Sequence, residues 1–467
     1  MPPTTAPARN GLPQPARNRA MVVIILGITL AVLDASIVNL ALPGIARELN
    51  ASAAHSIWVV NAYQIAILVM LLPLASLGDR IGYRRVYLVG MAVFALASVG
   101  AMLANSLATL IAARAVQGLG GAGIMSVNAA MVRVIYPRAQ LGRGMAINSM
   151  VVAISAVAGP TVAAGILAVA SWPWLFALNL PLGLFTLWAG YRSLPGNPVA
   201  SSGPPMRVLD VLLNVLMFTL IFLGSERLNL RSDSGAASDP LLAWALLAAG
   251  AAVGWFYLHR QWRQRVPLFP VDLLRIPVFA LSMAASVAAF CAQMLAYLAL
   301  PFLLLESFGR TPLQAGLLIT AWPLAIVVVA PLAGRLIGRY PDGLLGGIGM
   351  AVFASGLLLL AMMPAQPGNL DMVWRMALCG AGFALFQSPN NHTIVTSAPL
   401  ARSGAASGML GTARLTGQTV GALILAAIFN VWPPHNGQGE VTALWLGAAL
   451  AALAAVFSAL RVRPSGR

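Results

Sequence analysis

The sequence predicts an all-α polytopic membrane protein, and three observations carry that prediction. Of the 467 residues, 59% are hydrophobic and 9% are charged, whereas an ordinary soluble domain carries about 25% charged residues. The apolar residues gather into fourteen runs, each close to the ~20 residues that one helical bilayer span requires. The charged residues lie in short blocks between these runs. This composition excludes a soluble enzyme and a disordered protein.

Mostly short loops separate the fourteen predicted spans and leave no room for a separate soluble domain. The first run is too long for the apolar core of a signal peptide, so we expect an uncleaved first helix. Cys291 and Cys379 fall inside apolar runs and are expected to be buried free thiols. The approximate limits of the spans are 20–43, 56–77, 86–104, 108–132, 144–170, 174–191, 208–224, 241–258, 277–305, 313–337, 343–363, 372–396, 404–431 and 441–460.

The net charge of +16 indicates the orientation of the chain rather than a nucleic-acid partner. All 28 basic residues are arginine. If both termini lie on one face of the membrane, 21 arginines fall on that face and five on the other. By the positive-inside rule we expect cytoplasmic termini and an even number of spans. The Ala, Gly and Arg bias is typical of a GC-rich bacterial genome, so the expected location is a bacterial cytoplasmic (inner) membrane.

Two longer loops, 192–207 and 225–240, flank the seventh and eighth spans and divide the chain. Pro73-Leu74-Ala75 and Pro331-Leu332-Ala333 occupy the same place in the two flanking sets of six spans. Repeated six-helix halves are typical of secondary transporters, although three such common residues also match by chance. The predicted parts are a tail, a six-helix bundle, a linker with two inserted spans, a second six-helix bundle and a second tail, at 1–19, 20–192, 193–276, 277–461 and 462–467.

A short connection between the second and third spans reads Gly78-Asp79-Arg80-Ile81-Gly82-Tyr83-Arg84-Arg85. Its glycines permit a turn, and Asp79 can accept from an arginine or face a helix N-terminus. A plain positive-inside loop explains the arginines but not the embedded aspartate. The segment resembles the signature loop of the major facilitator superfamily, G-x-L-x-D-R-x-G-R-R, with Ala75 and Tyr83 as departures. This resemblance implies a role in conformational gating for Asp79, Arg80, Gly82, Arg84 and Arg85.

Further motifs resemble the fourteen-helix drug:proton antiporter family of that superfamily. They imply the major facilitator fold, with two six-helix bundles plus a two-helix insert, and proton-driven export. Gly159 and Pro160 are then expected to pack closely, bend the fifth span and assist gating. Ala163-Ala164 replaces the family's glycine pair, and this reduces the local flexibility. The motifs are Leu33-Asp34-Ala35-Ser36-Ile37-Val38-Asn39-Leu40-Ala41-Leu42-Pro43, Arg114-x-x-Gln117-Gly118-x-Gly120, Gly159-Pro160, Asn179-x-Pro181-x-Gly183 and Phe386-Gln387-Ser388-Pro389-Asn390-Asn391.

Asp34 is the one acidic residue that the predicted spans place well inside the membrane. An isolated carboxylate there is costly and usually functional, and a low dielectric favours its protonated form. Residue counting along the first and fourth spans brings Asp34 to the depth of Arg114. Two interpretations follow: Asp34 and Arg114 couple transport to protons, or they form a permanent structural ion pair. A pair that breaks when Asp34 is protonated satisfies both.

Polar residues at helical spacing predict the wall of a central substrate cavity. The fourth and twelfth spans carry one such stripe each, and in the superfamily both are the cavity-lining fourth helices of their halves. The alternative use of these side chains is hydrogen bonding between helices. The candidates are Gln117, Met125, Asn128, Asn61, Tyr63, Gln64, Gln293, Tyr297, Phe386, Gln387, Asn390, Asn391, Arg414 and Gln418.

One nucleotide-like motif, Gly118-Leu119-Gly120-Gly121-Ala122-Gly123, fits G-x-G-x-x-G, but it lies inside a span and lacks the strand and acidic residue of that fingerprint. Helix packing explains it better. We expect no enzyme activity, no metal, no cofactor and no nucleic acid, with the proton gradient as energy source. The expected partners are a small-molecule substrate, protons and lipid, around a monomeric chain. Two alternatives remain: export of one specific metabolite, and a non-transporting receptor or scaffold.

Overall fold

The computed structural model describes residues 11–137, 140–196, 208–229, 240–264, 269–364, 366–398, 403–433 and 437–461. The tail at 462–467, residues 1–10 of the other tail, and 197–207, 230–239 and 265–268 of the linker lie outside these residues. The first half of the described chain is α-helical. Its helices are α1 Ala16–Glu48, α2 Ala53–Ser56, α3 Trp58–Ile81, α4 Tyr83–Met102, α5 Leu107–Ile135, α6 Leu141–Leu167, α7 Pro173–Ala177 and α8 Asn179–Ser193.

The insert and the second half continue the same pattern. A π-helical turn, Leu303–Ser307, extends α11. The helices are α9 Val208–Asn229 and α10 Pro240–Trp262 in the insert, followed by α11 Pro277–Phe302, α12 Pro312–Leu336, α13 Asp342–Ala361, α14 Asn369–Ser397, α15 Ser403–Val431 and α16 Gln438–Ala459.

Thirteen segments of the described chain are long and apolar enough to cross a membrane. The short helices α2 and α7 are the first turns of the spans completed by α3 and α8. The remaining predicted span, 372–396, corresponds to α14, which has 29 residues but a more polar sequence. Its Asn390 side chain is buried and hydrogen bonded to neighbouring helices, so a long helix can hold a polar residue within the bundle. The all-α membrane fold expected from the sequence is confirmed.

Below, the terminal face is the membrane face where α1 begins and α16 ends, and the far face is the opposite one. Local sequence explains several helix boundaries. On the terminal face, Gly82 alone separates α3 from α4, and its φ of +110° is a backbone conformation that suits glycine. On the far face, Ser106 and Thr109 form a capping box at the start of α5. Thr311 and Gln314 form the corresponding box at the start of α12.

The two halves repeat one helix-crossing geometry. In the first half a Cβ on Gly120 would lie 2.4 Å from the backbone nitrogen of Phe94, so α4 and α5 touch backbone to backbone. In the second half a Cβ on Gly382 would lie 2.5 Å from the backbone nitrogen of Phe353, at the crossing of α13 and α14. Close packing of small residues holds such helices together in lipid. The G-x-G-x-x-G match therefore belongs to a packing surface.

Among the described residues, a hydrogen bond between side chain and backbone fastens the two-helix insert to the first half. The Asn214 side-chain amide on α9 donates to the Val69 carbonyl on α3 at 2.7 Å. Within the insert, Asp210 accepts from Arg260 at 2.7 Å and from Gln264 at 2.8 Å. Helix α9 also packs against α15 of the second half. The insert therefore lies along the line where α3 and α15 meet.

The halves pack together on the far face. One continuous apolar cluster there joins residues of α1, α6 and α7 to residues of α11, α12 and α15. The tightest contact between halves is that of α6 with α12, where the Thr161 and Thr320 hydroxyls are 2.8 Å apart. Toward the terminal face the buried side chains divide into two clusters, one mainly in each half. This arrangement is closed on the far face.

Gly316 controls how closely α6 and α12 approach. A Cβ at this position would lie 2.4 Å from the Ala164 Cβ and 2.8 Å from the Pro160 carbonyl oxygen. We expect Gly316→Ala to shift the chain toward a form open on the far face, by about 1–3 kcal/mol, because overpacking costs that much. Labelling of a cysteine placed at Thr320 would measure the opening. Gly165→Ala on α6 is the control, since nothing lies within 4 Å of that position, and equal labelling of both variants would contradict this prediction.

Candidate functional site

The Asp34 carboxylate on α1 lies at the centre of a buried polar network. The Arg114 guanidinium donates to Oδ2 at 2.5 Å. The Gln117 and Asn179 amides donate to Oδ1 at 3.0 and 2.7 Å. Asp34 and Arg114 are both 0% exposed. Helices α1, α5 and α8 thus converge on one carboxylate, and the ion pair considered from the sequence is present in this conformation.

Arg114 is held on several sides besides Asp34. It donates to the Gln117 side-chain oxygen at 2.6 Å and, through Nε, to the Val59 carbonyl at 3.1 Å. Its guanidinium carbon lies 4.2 Å from the centre of the Tyr63 ring and 5.6 Å from that of Phe176. Its Nη2 has no hydrogen-bond partner among the described residues. A buried arginine fixed in this way needs its counter-ion, because an unpaired charge at this depth is costly.

Ser98 and Asn179 also belong to this network, a role that the sequence does not predict for either residue. The Ser98 hydroxyl, on α4, accepts from Gln117 at 2.9 Å and donates to the Phe94 carbonyl at 2.8 Å. Asn179, the first residue of α8, was noted only as part of a family motif. A single serine in an apolar span does not indicate a polar network. An asparagine at the start of a membrane helix does predict a hydrogen-bond partner, because an unpaired amide there is costly.

A second polar region lies where α3 meets the other half. Asn61 and Gln64 are buried one turn apart on α3. Both polar atoms of the Asn61 side chain, and Oε1 of Gln64, have no hydrogen-bond partner among the described residues. Gln64 Nε2 lies 3.8 Å from Sδ of Met294 on α11. Tyr63 between them donates to the Ala31 carbonyl at 3.1 Å.

Arg414 and Gln418 face this region from α15. They lie four residues apart on the helix face that also carries Gly411, which contacts Leu71 of α3. Arg414 is close enough to the Tyr63 phenol to interact with it electrostatically. Both side chains are half-buried. Within the described residues Arg414 makes no hydrogen bond and no ion pair.

The other cavity candidates are placed differently. Asn128 donates to Asn148 at 2.9 Å and ties α5 to α6. Tyr297 and Phe386 belong to an aromatic cluster, in which the Tyr297 and Trp322 ring centres are 4.9 Å apart and Phe386 is fully buried. The half-buried candidates are Met125, Gln293, Gln387 and Asn391.

Asn390 belongs to a helix-joining cluster near the terminal face. Its side-chain oxygen accepts from Arg461 at 2.6 Å, and its amide donates to the Ser286 hydroxyl at 2.7 Å. Arg461 also donates to Ser282 at 2.8 Å and to Ser458 at 2.5 Å. Burial lowers the pKa of Arg461 to about 10, and the nearby Asp342 carboxylate acts in the opposite direction. Arg461 therefore stays charged at neutral pH and joins α11, α14 and α16.

The predicted gating residues occupy two places. At the turn around Gly82, Arg84 donates to the Tyr191 carbonyl at the end of α8, and Arg85 is exposed. Arg80 lies in the last turn of α3, and the Asp79 side chain is outside the described part of the structure. On α6, a Cβ on Gly159 would lie 1.9 Å from the Ser36 hydroxyl of α1. Pro160, inside α6, follows it at the contact with α12.

Glu440 is a buried acid that is not among the residues predicted from the sequence. It lies in the first turn of α16 and is 0% exposed. Neither carboxyl oxygen has a hydrogen-bond partner among the described residues. The nearby acid Glu306 adds like-charge repulsion, and Glu306 in turn pairs with Arg47 of α1 at 3.6 Å across the far face. Glu440 lies one residue before the predicted start of the last span, and this position is the feature of the sequence that could have indicated burial.

Removing the partner of Asp34 should leave an uncompensated buried carboxylate. We expect Arg114→Met to lower the free energy of unfolding by about 3–5 kcal/mol. Because protonation removes the stranded charge, this loss should shrink as the pH falls. Thermal unfolding of detergent-solubilised protein between pH 5 and 8 measures both effects. The double variant Asp34→Asn/Arg114→Met is the control and should recover stability without the pH dependence; a double variant less stable than Arg114→Met would contradict the prediction.

Glu440 should be less costly to bury as a neutral group than as a carboxylate. Glu440→Gln is therefore expected to match or exceed the wild-type unfolding temperature at pH 8, with the advantage shrinking toward pH 5, where the wild-type acid is protonated. The same unfolding measurements in detergent test this. Glu48→Gln, at an exposed far-face acid, should change little at either pH. A pronounced loss of stability in Glu440→Gln at pH 8 would show that the carboxylate form is needed.

Comparisons with known proteins agree with this architecture. An uncharacterized transporter, YebQ, of Escherichia coli (strain K12) is 51% identical over 453 residues, 97% of each chain. The multidrug resistance protein Stp of Mycobacterium tuberculosis is 31% identical over 87% of this chain and 75% of its own. The crystal structure of a POT family transporter in complex with a thioalcohol-conjugated peptide matches 96% of each chain with a TM-score of 0.70 at 17% identity, a likeness of fold alone.

The family profile described as Major Facilitator Superfamily matches residues 24–422 and again 281–467. Together these ranges cover both six-helix halves, the insert and the Asp34 network. The second match begins at α11, where the second half begins, which agrees with the repeated glycine crossings. The chain belongs to the Major Facilitator Superfamily and is a multi-pass membrane transporter.

Proposed function

We propose that this transporter is a proton-coupled exporter that exchanges small amphipathic or toxic compounds for protons by alternating access. The observation that carries the proposal is the Asp34–Arg114 pair, since a charged group sealed inside the membrane marks a proton or substrate pathway in transporters. The names of two relatives support the proposal that toxic compounds are exported. They are the multidrug resistance protein Stp and, at 29% identity, the tetracenomycin C resistance and export protein of Streptomyces glaucescens.

The proposal places the protein in a bacterial cytoplasmic membrane with both termini in the cytoplasm. It acts as a monomer without cofactor, and the proton gradient supplies the energy. In that orientation the described conformation is the inward-facing one, because the halves are packed on the far face. Compounds then enter from the cytoplasmic side, between the two clusters of buried side chains on the terminal face.

The proton step acts on Asp34 when the far face is open. A proton from the outside binds the carboxylate, the ion pair with Arg114 is lost, and the compound is released outward. Arg114 keeps its contacts with Gln117, the Val59 carbonyl and the Tyr63 ring. Because Val59 and Tyr63 lie on α3, a change at the ion pair is passed to the helix that meets α15. Loss of the proton to the cytoplasm restores the pair.

Gating on the terminal face is assigned to the segment around Gly82. Asp79 with Arg80, Arg84 and Arg85 would stabilise the outward-facing state by closing the cytoplasmic side. The contact of Arg84 with the Tyr191 carbonyl joins this segment to the end of α8. On the far face, Gly159 and Pro160 let α6 approach α1 and α12 closely.

A second candidate function is export or movement of one specific metabolite. The riboflavin transporter RibZ of Clostridioides difficile is 27% identical over 88% of this chain. Relatives of similar sequence identity are therefore named both for drug resistance and for transport of a single metabolite. A growth-inhibition panel in which the protein protects against no toxic compound would favour this function. A non-transporting receptor or scaffold would need neither the Asp34 network nor the unpartnered amides on α3.

Transport in proteoliposomes with an imposed pH gradient tests proton coupling. We expect the wild-type protein to accumulate compounds against their gradients and to release protons that a trapped pH dye records. Asp34→Asn should abolish accumulation while leaving downhill movement, because the amide cannot carry the proton. Glu48→Gln, which removes an exposed acid, should behave as wild type. If Asp34→Asn still accumulates compounds against their gradients, proton coupling through Asp34 is wrong.

A further inference from the structure

The charges inside the membrane do not balance in the described conformation. Asp34 and Arg114 neutralise each other at 2.5 Å. Arg414 lies six residues inside the span Gly408–Val431, about 9 Å along the helix. Among the described residues it has neither an ion pair nor a hydrogen bond. A lone guanidinium at this depth is costly unless it faces water or a ligand of opposite charge.

Arg414 lies where α15 packs against the first half. Its half-buried side chain interacts electrostatically with Tyr63 of the other half. Its neighbour Leu415 packs in the apolar cluster of the first half. The guanidinium therefore lies at the boundary between the halves, within the region that opens and closes in the proposed transport cycle.

Unpartnered amides adjoin the same boundary. Asn61 is 0% exposed and Gln64 is 5% exposed, and three of their four polar side-chain atoms lack a partner among the described residues. Gln64 contacts Met294, against which Gly421 of α15 also packs, since a Cβ there would lie 3.0 Å from the Met294 Cβ. Buried amides without partners are rare unless a ligand or water satisfies them.

We propose, resting on the transport function above, that Arg414 is the counter-ion for an anionic group of the transported compound. Asn61 and Gln64 hydrogen bond other polar atoms of that compound, and Gln418, one turn along α15, completes the polar side of the site. The apolar side consists of Leu71 and Met294, which adjoin Gly411 and Gly421 of α15. The chemistry selects an amphipathic monoanion, such as an aromatic carboxylate, because guanidinium and carboxylate form strong paired hydrogen bonds.

The substrate site is then separate from the proton site. Arg114 lies against one part of Tyr63, and Arg414 acts on the same residue from the other half. Protonation of Asp34 would add positive charge near this site rather than remove it. A proton and an anionic compound therefore do not compete for the same side chain. Their exchange depends instead on the conformation of the contact between α3 and α15.

Binding to purified protein tests the charge preference, with 2-naphthoate, its neutral isostere 2-naphthamide and the cation 2-naphthylmethylammonium as probes. We expect wild type to bind naphthoate best. Arg414→Gln should weaken naphthoate binding at least about tenfold with little change for naphthamide. Arg414→Lys should keep the anion preference. Arg227→Gln, at an exposed arginine of α9, is the control for net charge, and thermal unfolding shows whether each variant is folded.

Wild-type protein that binds naphthamide or the cation as tightly as naphthoate would overturn the inference. So would a folded Arg414→Gln that keeps the anion preference. Proton movement during naphthoate transport is recorded separately. If naphthoate and protons move in the same direction, or protons do not move at all, the proposed exchange fails while the role of Arg414 stands. If cations are exchanged for protons and naphthoate is ignored, the exchange stands and the inference fails.

Discussion

A charge buried in a membrane protein must be neutralised and hydrogen bonded where it lies, and this constraint organises the first half of the molecule. Asp34 accepts from Arg114, Gln117 and Asn179, and Ser98 connects Gln117 to α4. Four helices are thereby fixed around one carboxylate. Because removal of any donor leaves a polar atom without a partner in a low dielectric, the position of each helix depends on the others.

The corresponding crossing in the second half lies beside aromatic rings rather than a buried ion pair. Its equivalent crossing of α13 and α14 repeats the glycine contacts of α4 and α5, but the space beside it holds aromatic rings. Phe353 and Phe383 have ring centres 5.6 Å apart, and Trp322 lies 5.5 Å from Phe353. Edge-to-face aromatic packing needs no counter-ion. Two bundles of one architecture therefore differ at this place: the first holds a buried ion pair, and the second holds packed aromatic rings.

Sequence periodicity and charge were enough for the helices, the turn at Gly82 and the depth at which Asp34 meets Arg114, because these depend on local spacing and hydropathy. Hydrogen-bond partners that come from helices distant in the sequence could not be predicted in this way. The pairing of Asn390 with Arg461 joins residues 71 positions apart, and a polar stripe alone does not say whether it faces a cavity or another helix. The burial of Glu440 could not be predicted from the sequence, because burial of a helix end depends on which other segments pack over it.

The position of the insert has a mechanical consequence. Helix α9 is anchored to α3 by the Asn214 amide and also rests against α15, so it contacts both halves of the molecule. In the proposed alternating access, α9 would travel with α3 and slide along α15. The insert therefore covers the contact of α3 with α15 and not the contact of α6 with α12 on the opposite side of the molecule.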